Sequence, residues 1–151
     1  MANHPEFCEI CERIARIERG ADPGFLAELP SGYAVLGESQ FFRGYCLLLC
    51  RQPFADLEEL DANFRAQFLT DMARLSAAVS RVVQPHKINL ESLGNVVPHL
   101  HWHVFPRQLS EAEPTKPVWL VMPPDDSAEY AFDAERDAQL VADLRANLRQ
   151  I

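Results

Sequence analysis

The 151-residue sequence predicts an α+β domain: a mostly antiparallel five-stranded sheet, one long helix set between strands, and a C-terminal helix. Three observations carry this prediction. Short apolar runs bounded by turn residues recur before residue 51 and again after residue 85. An unbroken helical periodicity occupies residues 57–83. A second one closes the chain beyond a proline-rich stretch. The length suits a single domain covering residues 1–151, large enough to bury a core without staples.

Taken in order, residues 7–19 place Phe7, Ile10, Ile14 and Ile17 three and four apart, the spacing of a short amphipathic helix. Pro23-Gly24 ends it. Residues 25–29 and 33–36 read as strands flanking the turn Pro30-Ser31-Gly32. The run YCLLLC at 45–50 is apolar on both faces and reads as a buried strand. In the long helix, Leu57, Leu60, Phe64, Phe68, Met72, Leu75, Val79 and Val82 recur at helical spacing. Asp56 with Glu59 fits a capping box at its start, and Pro85 marks its end. Residues 86–93 and 99–106 read as two more strands, joined through Gly94-Asn95. A loop carrying Pro114, Pro117, Pro123 and Pro124 follows. Asp133 then caps a last helix that turns Leu140, Val141, Leu144 and Leu148 inward. The order of the strands in the sheet does not follow from the pattern.

Composition narrows the function classes. With 48% hydrophobic and 24% charged residues the chain is not disordered. It carries 22 acidic against 14 basic residues, a net charge of −8. That field opposes binding to phosphate backbones, so no nucleic-acid partner is expected, although a local pocket can still hold a small anion. The start MANHPEF lacks the pattern of a signal peptide, and no apolar run approaches a membrane span. Four cysteines without a secretion signal read as reduced thiols, and the expected compartment is the cytoplasm.

The chemistry concentrates in HLHWHVF, residues 99–105, where three of the five histidines alternate with large apolar residues. On a strand with a rise of about 3.3 Å per residue, His99, His101 and His103 line one face roughly 6–7 Å apart. Leu100, Trp102 and Val104 then face the core. Three readings of such a row stand side by side. The histidines are ordinary surface or core residues. Or they ligate a metal, with His86, Glu91 or the cysteines completing the set. Or a neutral imidazole attacks phosphorus to form a covalent intermediate, while a neighbouring imidazole supplies charge stabilisation or a proton.

HLHWHVF resembles the signature of the histidine triad (HIT) family, His-φ-His-φ-His-φ-φ with φ apolar, at all seven positions. Gly94-Asn95-Val96-Val97-Pro98 before it and Pro106-Arg107 after it are similar to the flanks in many members. FCEICERI looks like the cysteine-bearing N-terminal segment of bacterial members, and GYCLLLCR resembles a family strand that usually begins Gly-His. The likeness spans most of residues 7–107. It implies a HIT-like fold that dimerises side by side. It also implies a nucleotide hydrolase or nucleotidyl transferase acting at the α-phosphorus of dinucleoside polyphosphates, phosphoramidates or related adenylates. By position, His101 matches the nucleophile, His99 a member of the orienting network, and His103 the residue that assists at the phosphate or leaving group. Asn95, next to Gly94, lines up with the family's glutamine at the phosphate. A third histidine resembles the hydrolase branches, since the uridylyltransferase branch carries glutamine there.

The sequence also departs from the family. Val96 stands where well-known members have a hydroxyl, and Tyr45 where a further histidine often follows the glycine. Gly37-Glu38 falls where a polar residue grips the ribose, so that Glu38 serves only with a one-residue shift. These departures raise a rival reading, a nucleotide-binding regulatory protein with little turnover. Cys8 and Cys11 form one CxxC. Some relatives complete a zinc site with histidines, and Tyr45 replaces one of these, so no cofactor is required and a structural zinc is not the favoured expectation. Cys46 and Cys50 read as buried, inert thiols. Trp119 either stacks near the ligand, covers a dimer partner or fills core volume. Arg107 either adds positive charge at the phosphate or forms a surface ion pair.

Overall fold

The computed structural model describes residues 7–123 and 127–150. Helix α1 (Glu9–Glu18) leads into strands β1 (Phe25–Leu29), β2 (Gly32–Leu36) and β3 (Cys46–Cys50). Helix α2 (Ala62–Val83) follows, then β4 (Lys87–Glu91), β5 (His101–Arg107), a single helical turn α3 (Val118–Val121) and α4 (Ala138–Arg149). Among the described residues five strands form one sheet in the order β1-β2-β3-β5-β4, every neighbouring pair antiparallel. This is the predicted α+β architecture. No described helix is long and apolar enough to cross a membrane.

The two faces of the sheet are buried by different elements. On one, Ala34, Leu36, Cys46, Leu48 and Cys50 meet Phe68, Leu75 and Val79 of α2 and Val141, Leu144 and Leu148 of α4. On the other, Ile10, Ile14 and Ile17 of α1 cover Tyr33, Val35 and Leu49. Double coverage explains why β2 is buried throughout and why β3 is apolar at every position. Leu100 and Val104 are buried on the α2 face with Trp102 packed against them, as strand alternation requires. His101 and His103 therefore emerge on the α1 face.

The starts of α2, α4 and β5 differ from the sequence reading, each for a local reason. Asp56 makes no capping hydrogen bond and opens only a 3-10 turn, Leu57–Glu59. The long helix starts instead at Asp61, whose carboxylate accepts from the backbone N–H of Asn63 and Phe64 at 3.0 Å each. Asp133 likewise caps a turn, accepting from the N–H groups of Glu135 and Arg136, and α4 begins only after Asp137. His99 lies ahead of β5, which starts at His101. The backbone N–H of Cys50 bonds to the carbonyl of Leu100 there, and that of Leu100 to Phe54, so residues 99 and 100 leave the ladder.

Candidate active site

The site grows from the register of β5 between β3 and β4. His103 stands opposite Leu47 on β3 and Glu91 on β4, and His101 opposite Leu49. Both imidazoles open into a cleft of about 780 Å³, a size suited to a nucleotide-like ligand. Its walls include Ile10 and Arg13 from α1, Tyr45 and Leu47, the loop 93–97, and Trp119.

Hydrogen bonding fixes which imidazole nitrogen is free. His101 Nδ1 lies 2.6 Å from the His99 carbonyl. A carbonyl only accepts, so Nδ1 carries the proton and Nε2 keeps its lone pair. That lone pair sits 3.0 Å from His103 Nε2. Burial lowers the pKa of His101. Burial, with the nearby His101 adding to it, pushes that of His103 down to about 3. Both rings are therefore neutral at pH 7, and His101 presents an unprotonated nitrogen to the cleft.

His99 does not complete a row with the other two. Its Nε2 donates to the Cys50 carbonyl at 2.8 Å, which leaves Nδ1 as an acceptor facing Cys8 Sγ at 3.5 Å and Cys11 Sγ at 3.4 Å. Its backbone oxygen serves the site, by holding His101. The Cys8, Cys11 and His99 donor atoms all lie within 4.8 Å of one another. Two soft sulfurs and an imidazole nitrogen suit zinc, and a carbonyl on the far ring nitrogen is the usual outer support of a ligating histidine. The three residues therefore fit a structural ion with one position filled from elsewhere. The metal reading of the triad allowed the cysteines as completing ligands, and His99 is the triad histidine that meets them. His86 and Glu91 stand outside this group.

The remaining candidates divide. Gly94, Asn95, Glu38 and Trp119 all line the cleft. Trp119 sets its ring edge-on to His103, with centroids 5.3 Å apart, and its indole N–H donates to Glu91. Glu38 is exposed at the rim, 3.8 Å from Arg16. Val96 is 93% exposed at the mouth. Arg107 adds no charge to the cleft, and the ion pair expected of it forms with Glu111 but away from the surface. It is buried and absent from the cleft walls, because its guanidinium is consumed by Glu111, Asn89 and the carbonyl of Lys116, beneath the Phe42 ring. It ties the loop after β5 to β4. The cation that does reach the cleft, Arg13, is held by Asp22 at 2.9 Å and by the Leu36 carbonyl.

Tyr45 was read as a missing histidine and turns out to be part of the site. Its hydroxyl lies 2.7 Å from His103 Nδ1, and its ring stacks on Phe105 with centroids 4.1 Å apart. The signal in the sequence was a polar aromatic residue at the head of an apolar strand.

Comparison with known proteins bears on the family and the fold. The sequence model described as "HIT domain" matches residues 21–110, more than half of the chain. No curated protein matches. Among solved structures, a histidine triad protein from Bradyrhizobium japonicum is 27% identical with a TM-score of 0.71, covering 89% of this chain and 95% of that one. One from Marinobacter aquaeolei VT8 is 24% identical with a TM-score of 0.75, covering 95% and 97%. A Plasmodium falciparum diadenosine triphosphate hydrolase is similar in fold alone, at 11% identity and a TM-score of 0.59 over 85% of this chain and 78% of that one.

Proposed function

Because the chain belongs to the histidine triad family, we propose that it is a nucleotide phosphohydrolase. It would cleave at the α-phosphate of dinucleoside polyphosphates or nucleoside phosphoramidates through a nucleotidyl-histidine intermediate. One observation carries the proposal: the His99 carbonyl anchors His101 Nδ1–H and leaves Nε2 as the lone-pair nitrogen, beside His103 Nε2 in a ring that lines the cleft. A nucleophile needs that tautomer held before substrate arrives. His103 is the proton-handling neighbour, and Gly94 and Asn95, which line the same cleft, would meet the phosphate. Trp119 supplies an aromatic edge for a base, and Glu38 a carboxylate for a ribose. The family likeness to a diadenosine triphosphate hydrolase supports the reaction class.

The test is His101→Ala, with folding checked by thermal melting. Hydrolysis of an adenosine phosphoramidate and of a diadenosine polyphosphate should fall at least about 1,000-fold with the fold retained. Undiminished turnover would refute the nucleophile. Tight mononucleotide binding by the wild type without cleavage of either substrate would favour the regulatory reading. Trapping the nucleotidyl adduct on His101 by mass spectrometry gives the direct positive result.

Zinc at Cys8, Cys11 and His99 belongs to the same proposal as a structural element, since it would fasten α1 to the start of β5. Prepared under reducing conditions with zinc present, the protein should carry about one ion per chain. Cys8→Ser with Cys11→Ser should bind none and melt lower by about 5 °C or more, the shift expected from roughly 2 kcal/mol at this size. A metal-free wild type of equal stability would remove the ion from the reading. The expected side-by-side homodimer and the cytoplasmic setting remain proposals with it.

A further inference from the structure

The buried phenol beside the triad has no role in the reaction as described so far. Tyr45 is 6% exposed and is held from several directions. Its ring stacks on Phe105, its carbonyl accepts from the N–H of Gly37 at 2.8 Å and from Gln40 Nε2 at 3.1 Å, and its hydroxyl reaches His103. Gly37 makes the space. A Cβ at that position would overlap the ring carbons of Tyr45.

The direction of the hydrogen bond from Tyr45 follows from the far end of the chain of contacts. The His99 carbonyl accepts, so His101 Nδ1 donates and its Nε2 accepts. His103 Nε2, 3.0 Å away, must then carry the proton. A neutral imidazole holds one proton, so His103 Nδ1 is an acceptor and the Tyr45 O–H donates to it. The proton order runs from Tyr45 through His103 to His101.

We propose that Tyr45 is the outer proton donor of a relay through His103 and that it sets which leaving groups the site can expel. This rests on the reading of His101 as the nucleophile. As His101 Nε2 bonds to phosphorus and the bond to the leaving group breaks, the departing oxygen or nitrogen takes the His103 Nε2 proton. His103 Nδ1 takes the Tyr45 proton in the same step. The result is a nucleotidyl-imidazolium at His101, a protonated leaving group, His103 neutral in its other tautomer, and a Tyr45 phenolate that balances the imidazolium charge. In hydrolysis the order reverses. Water adds to phosphorus and gives its proton to His103 Nε2, Nδ1 returns a proton to Tyr45, and the P–N bond breaks to restore the His101 lone pair. Without the phenol, His103 can give up its proton only by becoming an imidazolate. A poor leaving group then departs unprotonated, whereas a good one barely notices.

The experiment compares two aryl esters of adenosine monophosphate, 4-nitrophenyl and unsubstituted phenyl, on wild type, Tyr45→Phe and Tyr45→His. Tyr45→Phe should lose at least tenfold more kcat on the phenyl ester than on the nitrophenyl ester, with KM for the two changing alike. Tyr45→His, whose ring N–H can donate, should recover part of the phenyl-ester rate. Equal losses on both esters would overturn the relay while leaving the hydrolase reading intact. A wild type inert on both would overturn both readings. Nitrogen-15 NMR of His103 gives a readout without turnover. The relay requires Nε2–H with an accepting Nδ1 in the wild type, and the opposite tautomer refutes it whatever the rates show.

Discussion

A carbonyl oxygen cannot give up a proton, and two of them assign the triad: that of His99 sets the tautomer of His101, and that of Cys50 sets the tautomer of His99. Strand alternation was enough to place His101 and His103 together on one face. It failed at His99, because β5 starts only at His101, and ahead of it the Leu100 N–H turns to the Phe54 carbonyl. Tyr45 was legible only as an oddity, since its meaning depends on a contact 58 positions away. His103 also carries a pH prediction. Its folded pKa is depressed well below the ordinary 6.5, so the unfolded chain binds the proton first as pH falls. The stabilisation is complete above about pH 6.5 and is lost progressively between there and about pH 3. Melting temperature should fall across that window, and His103→Asn should flatten the fall. Parallel curves for the two proteins would show that other groups govern the acid limb.

At the scale of elements, burial patterns mapped the chain well and polar anchors did not. Phe68, Leu75 and Val79 marked the inner face of α2, yet the same face contains Asp71, which is fully buried. Its carboxylate accepts from the backbone N–H and hydroxyl of Ser31 at 2.9 and 2.6 Å and from Gln67 and Arg74. It thereby pins the β1–β2 turn to the helix. An aspartate inside an apolar stripe was a visible signal, but its partner lies 40 residues away and no periodicity names it. Asp71→Ala should cost about 2–4 kcal/mol, because it leaves the Ser31 donors buried without an acceptor. Urea unfolding measures this. A loss under about 0.5 kcal/mol, the range of ordinary surface changes, would show that the anchor contributes little. The false helix start at Asp56 has a simpler origin: Asp56 and Asp61 both carry capping side chains, and only the latter meets free N–H groups.

For the whole molecule, the sheet order could not be read from sequence, because α2 carries the chain from β3 to β4 one place further out, and β5 then returns to fill the place between them. That order leaves β4 as an edge, with Leu90 and the adjacent Leu93 at 41% and 45% exposure. An unpaired, half-apolar edge is a ready surface for strand pairing or packing with a second copy. The side-by-side homodimer proposed above would use this β4 edge. Leu90→Lys should weaken it at least tenfold, read by sedimentation across micromolar concentrations. A wild type that sediments as a monomer throughout would place the oligomer elsewhere or nowhere. The net charge of −8 sets another property at this scale. That field opposes association with long phosphate polymers.

Gly37 and Tyr45 occupy one shared volume, and that has a consequence for how such proteins can diverge. A side chain at position 37 would project into the space the phenol ring fills. The two positions are therefore not free to vary separately: keeping the tyrosine forbids a larger residue at 37, and enlarging 37 demands a smaller ring at 45. On the reading proposed above, a lineage that adopts the phenol as its proton reservoir would give up a side chain at 37, and Glu38 at the rim would have to reach a sugar from one position further out. Chemical reach toward stubborn bonds and selectivity among nucleosides would then be exchanged against each other through the dimensions of a single aromatic ring.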